Sequence, residues 1–501
     1  MCRPLLGKRI TISRLMDMLL LLLVTAHPAC AQDAYTPAGL KVLIPPEAHL
    51  NVALTAISEE QSGKGVLLFA GKSIPPTIHV APGSVLHVTY KNAMDRIPRE
   101  PCVAGPCTNM TNLHFHGLHV SPDKPQDDVL TMMANPGETL RYTVAIPQDQ
   151  PSGLYWYHTH PHGESYQQDL DGMSGAIVVD GIERYYPELR TMKERVLLLR
   201  DMVVPADGAR ADRLRQAVQA KQTCNSSSSP IERLFTVNGE VRPLIDIAPG
   251  ERQFWRVVNT SPDLYADLSL DGERMMLVAL DGMPLSYHDP GKRPLPMDNI
   301  QLPPGGRAEF IVTGQKLGQP ASLRTSCVDT GPDGDPNPSM VLADLATGAR
   351  DDVAYRHALV SAPVFKPLAD DVVRAVQQRT PDFQVRFTED QHGFYINDHK
   401  FEMGDPPLVT VRVGAYYHWR IVNDTNEVHP FHIHQVHFMT YRVNDRSVAT
   451  HEWRDTVNVP VRGTVDLFMD MTDPIIRGES VFHCHLLKHE DKGMMAKVLF
   501  K

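Results

Sequence analysis

Phe482-His483-Cys484-His485, followed by His489 and Met494, concentrates metal-binding side chains near the end of this 501-residue chain. On an extended strand successive side chains point to opposite faces, so His483 and His485 would project to one side and Cys484 to the other. One strand could then touch two metal sites. A thiolate, an imidazole five residues on and a thioether five beyond that form a soft ligand set suited to an electron-transfer copper, with a second imidazole drawn from elsewhere. The opposite face needs more imidazoles. Three further clusters offer them: His114-Phe115-His116, His158-Thr159-His160 and His429-Pro430-Phe431-His432-Ile433-His434. A lone His-x-His is usually an exposed polar face, and a buried Cys beside a His is usually inert. Four such clusters, one of them split by the Cys, point instead to bound metal.

The elements that must position these residues show in an internal repeat. Gly83 to Asn92 reappears in outline as Gly250 to Asn259 and again as Gly414 to Asn423, with Gly and Asn nine apart each time. The second and third copies share Trp-Arg-(Val/Ile)-Val-Asn, at Trp255 to Asn259 and Trp419 to Asn423, each a β-branched run bounded by turn residues, as a strand requires. A second element follows each copy: Pro136-Gly137 before Tyr142, Pro304-Gly305 before Phe310, and Gly463 before Phe468. The paired glycines are 54, 55 and 49 residues apart, which predicts three related β domains. With 41 Pro, 33 Gly and few long helical periodicities, all three read as β-sandwiches. A short helix is expected over 210–221, and a mobile surface loop over the Gly-, Pro- and Asp-rich residues 331–338. The histidine clusters lie in the first and third units. The middle one, with only His288, reads as architectural.

Length alone allows about two to four domains. Apolar residues at 42% and charged residues at 22% are ordinary for a globular protein, and a net charge of -10 discourages nucleic acid or an anionic membrane as partner. Residues 1–31 read as an export signal: Arg3, Lys8, Arg9 and Arg14 precede an apolar run from Met18 to Val24 and an Ala29-x-Ala31 cleavage site. That run is far short of the ~20 residues that span a bilayer. The expected product is periplasmic or secreted, with no membrane association after signal removal. Of seven Cys, Cys2 and Cys30 leave with the signal. With Cys484 on copper, Cys102, Cys107, Cys224 and Cys327 remain, and four can pair in three ways. An oxidising compartment favours pairing, a local Cys102 to Cys107 bridge included.

Four histidine clusters in this order resemble the copper-binding pattern of the multicopper oxidases, in particular the three-domain laccase-like and bacterial copper-tolerance branch. Trp156-Tyr157 before His158, and Asp171-Gly172-Met173-Ser174-Gly175 after it, also match that family, whereas Gln435 stands where many relatives have Gly. The resemblance implies an all-β fold of three consecutive cupredoxin-like Greek-key β-sandwich domains, placed here at 32–187, 188–355 and 356–501. It implies four copper ions. The type 1 ion would take His429, Cys484 and His489, with Met494 as weak axial ligand. The type 2 ion would take His114 and His432, and the two type 3 ions His116, His158, His160, His434, His483 and His485. Glu490 and Asp127 stand where relatives place proton-carrying acids. His119, His162 and His437 lie beside the clusters, but the pattern is complete without them.

The activity so implied, by a monomer, is one-electron oxidation of a small donor coupled to four-electron reduction of dioxygen to water. Phenols and aromatic amines compete with metal ions such as Cu(I) as the donor. The 21 Met favour soft metal contact, yet they are scattered and also suit core packing. The alternative from another class is a periplasmic copper-binding or storage protein without turnover. A complete two-centre pattern argues against it, since storage needs no electron relay. A copper nitrite reductase would have fewer domains and no four-cluster pattern.

Overall fold

A computed structural model describes residues 41–42, 49–58, 65–69, 75–96, 108–205, 207–222, 224, 231–316, 319–346, 364–448 and 452–501. The export segment, Cys102, Cys107 and the expected boundary at 355/356 lie outside the described residues. Each copy of the repeat is a central strand: Val85–Ala93, Arg252–Asn259 and Ala415–Asn423. Each pairs in parallel with an earlier strand, respectively His49–Ser58, Lys193–Val203 and Phe383–Asp390. Each also pairs antiparallel with the strand that follows the second glycine: Thr139–Ala145, Arg307–Thr313 and Thr464–Met471.

The recurrence of Asn at the end of the motif has a local cause. The Oδ1 atoms of Asn92, Asn259 and Asn423 accept from the backbone N–H two residues on, at Met94, Ser261 and Thr425, closing an Asx turn as the chain leaves the sheet. Their Nδ2 atoms donate to the carbonyls of Ala134, Leu302 and Val459 across the turn. All three amides are fully buried, so this pairing removes the cost of an unsatisfied polar group. At the other end, Gly83, Gly250 and Gly414 have φ of 84°, 71° and 102°, a region that only glycine enters without steric cost.

Six sheets result. A five-stranded sheet in the first unit runs Lys41–Val42, Thr77–Val80, Ser174–Val179, Gly153–His158, His114–His116, and accompanies a four-stranded one built on Val85–Ala93. The later units each have a seven-stranded and a five-stranded sheet, the last of the six running Val409–Val411, Met495–Phe500, Gly478–Cys484, His429–Ile433, Thr456–Val459. Separate apolar cores fill the three sandwiches. A smaller cluster of Leu154, Trp156, Ala176 and Val178 with Val196, Leu198 and Val258 packs the first unit on the second. Tyr265 and Val328 of the second join the core of the third.

The expected helix forms as Ala209–Ala217 and stops before Lys221, because Gln219 turns left-handed at φ 54° and Lys221 bridges to Ser339. The loop at 331–338 is docked rather than mobile surface. Asn337 Oδ1 accepts from the Tyr265 N–H at 2.8 Å, and Asn426 Nδ2 donates to Asp333 at 2.9 Å. Among the described residues no helix is long and apolar enough to cross a membrane.

Cys224 and Cys327 form a disulfide that closes 103 residues of the middle unit. A closed loop of that length removes about 4–5 kcal/mol of chain entropy from the unfolded state in the simplest treatment. Replacing both with Ala is predicted to lower stability by about 2–5 kcal/mol, read as an earlier thermal transition of the middle unit, with metal content unchanged.

Candidate metal centres

The last five-stranded sheet brings two clusters side by side. Strand His429–Ile433 pairs antiparallel with Gly478–Cys484 so that His432 stands opposite His483 and Phe431 opposite Cys484. In the first unit His114 stands opposite His158 across an equivalent pair. Only His114-Phe115-His116 lies wholly on a strand; His160, His434 and His485 fall just past strand ends.

Alternation along the Cys484 strand separates two groups of donors. On one face Cys484 Sγ lies 3.4 Å from His429 Nδ1, which lies 3.3 Å from His489 Nδ1. Donors about 2 Å from a shared ion in a trigonal array lie about 3.4 Å apart, so this set fits a copper of the His₂Cys kind. His429 Nε2 is bonded to Thr425 Oγ1 at 2.8 Å, which leaves Nδ1 bare for a ligand. Burial pushes the Cys484 thiol up, so a thiolate there needs a cation beside it. Met494 is buried in the same core, and its carbonyl accepts from the Cys484 N–H at 3.1 Å.

On the other face eight buried imidazoles converge: His114, His116, His158, His160, His432, His434, His483 and His485. Ring centroids of His160, His434 and His483 lie 4.9–5.3 Å apart, with Nε2 of His483 3.4 Å from that of His160 and 3.2 Å from that of His434. His116, His158 and His485 form a second trio at 5.0–5.8 Å, and His114 and His432 a pair at 6.1 Å. Outer nitrogens are anchored. His114 Nδ1 bonds Asp127, His158 Nδ1 bonds the Thr159 carbonyl, His432 Nδ1 bonds the Asp455 carbonyl and His483 Nδ1 bonds the Cys484 carbonyl. The opposite nitrogens of His114, His116, His158 and His432 are buried without a hydrogen-bond partner, as is Nδ1 of His434. Orphaned buried acceptors on this scale are what a metal-binding pocket requires. Burial, reinforced by neighbouring rings, holds His116, His158, His160, His434, His483 and His485 far below the usual imidazole range, so these rings are neutral.

Three carboxylates serve this pocket in different ways. Glu490 Oε2 lies 3.3 Å from His483 Nδ1 and Oε1 3.6 Å from His160 Nδ1, and Ser165 Oγ donates to it at 3.3 Å. Burial pushes its carboxyl well above the usual range, with Asp491 adding to the effect. Asp127 accepts from His114 Nδ1, from the Phe115 N–H at 2.9 Å and from Gln435 Nε2 at 2.7 Å. The third, Asp455, was not singled out from sequence: Oδ1 lies 3.2 Å from His116 Nε2, across 339 residues. Burial alone would raise the Asp455 carboxyl, but Arg307 holds it well below the usual range. Only proximity in the fold reveals it. His119 and His437 sit to one side, bonded to each other at 2.6 Å, with His437 Nε2 donating to the Asp281 carbonyl; His162 packs edge-on against Phe401.

At the first site the outer edges of the rings meet acids. His489 is 6% exposed, whereas His429 and Cys484 are sealed. Glu427 Oε2 lies 3.6 Å from His489 Nε2, and Glu389 Oε2 4.0 Å from His429 Nε2. Burial, then Asp335, Glu389 and Asp263, push the Glu427 carboxyl up to about 9. Lys488, 3.7 Å from Asp335, offsets part of this crowding.

Family models described as multicopper oxidase match residues 51–184, 202–321 and 372–501, together well over half of the chain. A laccase of Bacillus subtilis (strain 168) is 26% identical over 424 residues, covering 77% of this chain and 78% of the relative. A laccase structure from Pediococcus acidilactici superposes with a TM-score of 0.69 at 22% identity, over 94% of this chain and 95% of that one. A multicopper oxidase from Campylobacter jejuni, described as a metallo-oxidase, superposes at 0.65 and 22% identity, over 93% and 96%. Both share the three-domain cupredoxin-like fold.

Gln435 sits at φ 61° and ties Asp127 to Ser480, whose hydroxyl donates to its Oε1. Left-handed backbone costs a non-glycine residue about 1 kcal/mol, and two buried hydrogen bonds offset it here. Gln435→Ala keeps the strain and loses both bonds, so a loss of about 2–3 kcal/mol is expected. Gln435→Gly should be milder by about 1 kcal/mol in the same denaturation experiment. An equal loss in the two would mean that the backbone is unstrained.

Proposed function

The chain belongs to the multicopper oxidase family as a laccase-like oxidoreductase, and on that premise we propose that it is an exported oxidase coupling one-electron oxidation of a reduced metal ion to four-electron reduction of dioxygen. One observation carries the two-centre reading: Cys484 meets His429 and His489 on one face of its strand while His483 and His485 meet six other imidazoles on the opposite face.

In this reading His429, Cys484 and His489 would hold the type 1 copper, with Met494 as a further weak ligand. His114 and His432 hold the type 2 ion. The trios His116, His158, His485 and His160, His434, His483 hold the two type 3 ions. When bound, copper supplies a one-electron couple at the first site and the dioxygen-reducing chemistry at the second. Outer hydrogen bonds from His114, His116, His158, His432 and His483 fix the tautomers of those five rings. Besides its peptide bonds to the two neighbouring rings, Cys484 accepts the His483 Nδ1 proton on its carbonyl at 2.9 Å, a direct bridge between the sites. Reduction to water also consumes four protons. Glu490 holds one at its carboxyl, beside His160 and His483, with Ser165 Oγ as its hydrogen-bonded neighbour. Asp127 fixes His114 and is the second acid assigned a proton-carrying role.

The donor class rests on the acids at the outer edge of the first site. A carboxyl that burial and three like charges hold protonated gains most from an arriving cation, so Glu427 and Glu389 favour a metal ion such as Cu(I) or Fe(II) over a neutral phenol. Export rests on the basic leader, its short apolar run and Ala29-x-Ala31. The division at 187/188 and 355/356 follows from the threefold repeat.

Cys484→Ser replaces the soft ligand with a hard, weak one while leaving the eight imidazoles in place, so copper should fall from about four ions per chain to about three. The blue absorption should vanish and oxygen uptake with every donor should collapse together. A blue or active variant would end the two-centre reading. Glu427→Gln tests the donor class: kcat/KM for Fe(II) or Cu(I) should fall about tenfold, the loss of ~1.4 kcal/mol expected for one charged contact. Oxidation of a neutral phenol should stay within twofold of wild type. An equal fall for both donors would return the choice to the phenols.

A further inference from the structure

The middle unit carries none of the histidine clusters, yet two of its side chains hold residues that adjoin them. Arg307 and Glu309 lie two apart on strand Arg307–Thr313 and face the same way. They bracket a single residue of the first unit: Leu154 N–H donates to Glu309 Oε1 at 2.8 Å, and the Leu154 carbonyl accepts from Arg307 Nε at 3.3 Å. Leu154 belongs to the strand that ends on His158. The rest of the guanidinium turns to the third unit. Nη1 donates to Asp455 Oδ1 at 2.8 Å and Nη2 to Oδ2 at 2.5 Å, a two-pronged grip on one carboxylate. Asp281, also from the middle unit, closes the frame by accepting from the Arg307 N–H at 2.8 Å and the Asp455 N–H at 3.3 Å.

Asp455 is where this grip becomes chemistry. Its Oδ1 faces His116 Nε2 at 3.2 Å, and its carbonyl accepts from His432 Nδ1 at 2.9 Å. An ionised carboxylate accepts only, so His116 must carry its proton on Nε2 and present a bare Nδ1 to the pocket. His432 likewise keeps Nε2 bare. Both inward nitrogens lack any hydrogen-bond partner. One guanidinium thus stands behind an imidazole from each terminal unit. Space around it is tight: a Cβ on Gly117, at φ 84°, would lie 2.6 Å from Asp455 Oδ2.

We propose that Arg307 is a positioning residue for the oxygen site, in which a copper-free unit sets the tautomer and orientation of His116 and His432 through Asp455. This rests on the copper assignments above. Lysine would preserve the charge but not the planar fork.

The test compares wild type with Arg307→Lys, Arg307→Met and a neutral pair, Arg307→Gln with Asp455→Asn, which avoids stranding a buried charge if Arg307→Met does not fold. Each copper-loaded protein is titrated with a copper chelator while total copper, the blue absorption and the type 2 electron paramagnetic signal are followed. Arg307 does not touch Cys484, His429 or His489, so the blue absorption should titrate as in wild type in all three variants. Copper at the oxygen site should leave at about 10–100-fold lower chelator in Arg307→Met and in the neutral pair, the usual effect of losing a ligand's outer partner, with Arg307→Lys between them and wild type. Wild-type retention in Arg307→Met, or in the neutral pair where Arg307→Met does not fold, would overturn the proposal. So would parallel loss of both copper populations, which would mark Arg307 as general support for the fold. A wild type without two distinguishable copper populations would instead overturn the copper assignments.

Discussion

Eight imidazoles can be sealed in a dry interior only if each is neutral and has somewhere to put its single proton. Water would ordinarily solve that problem, and here it is excluded: every one of the eight rings is 2% exposed or less. For His114, His158, His432 and His483, outer hydrogen bonds to backbone carbonyls and a carboxylate take the proton, so their inward nitrogens are bare without any choice left to solvent. Much of the surrounding structure exists to aim those outer acceptors. Thr159 and Cys484 do it within their own clusters, Asp127 from a loop of the same unit, and Asp455 across two units.

Burial acts on the carboxylates as well, and their partners decide opposite outcomes. Asp455 is gripped by Arg307 and stays ionised, so it can only hold a ring in place. Burial pushes the Glu490 carboxyl the other way, with Asp491 adding to the effect and the rings of His483 and His160 in reach. The same logic extends to the first site, where crowding among Glu427, Glu389 and Asp335 creates a rim that a cation would relieve. Position in the chain predicts none of this sorting. Glu490 and Asp455 differ in what faces them, not in residue type in any useful sense.

Threefold repetition of one sandwich gave the chain a scaffold whose middle copy is free of ligands. That copy is not a spacer. Through Leu154, Asp455 and the cluster around Val196 and Val258 it holds strands of the outer units in register with each other. A shared oxygen site between two units needs such a third body, because a misplacement of about 1 Å in a ligand set is enough to weaken it.

The sequence by itself determined the β class, the threefold repeat, the histidine clusters and the division of the Cys484 strand between two faces, because strand alternation and Gly/Asn turns are local consequences of residue type. It also carried a resemblance that covered the whole chain. It left the Cys pairing open, and the Cys224 to Cys327 bond appears only when segments 103 residues apart are brought together. Nor could it show that the loop at 331–338 is docked, since its composition reads as free surface while its contacts come from Tyr265 of its own unit and Asn426 of the third. Gln435 was visible as a departure from glycine, but its link between Asp127 and Ser480 was not. Arg307 and Asp455 were invisible altogether, for they form one contact only after three sandwiches have closed around it. Spacing within a strand is written in the chain; which outer partner each buried ring meets is decided by packing between elements hundreds of residues apart.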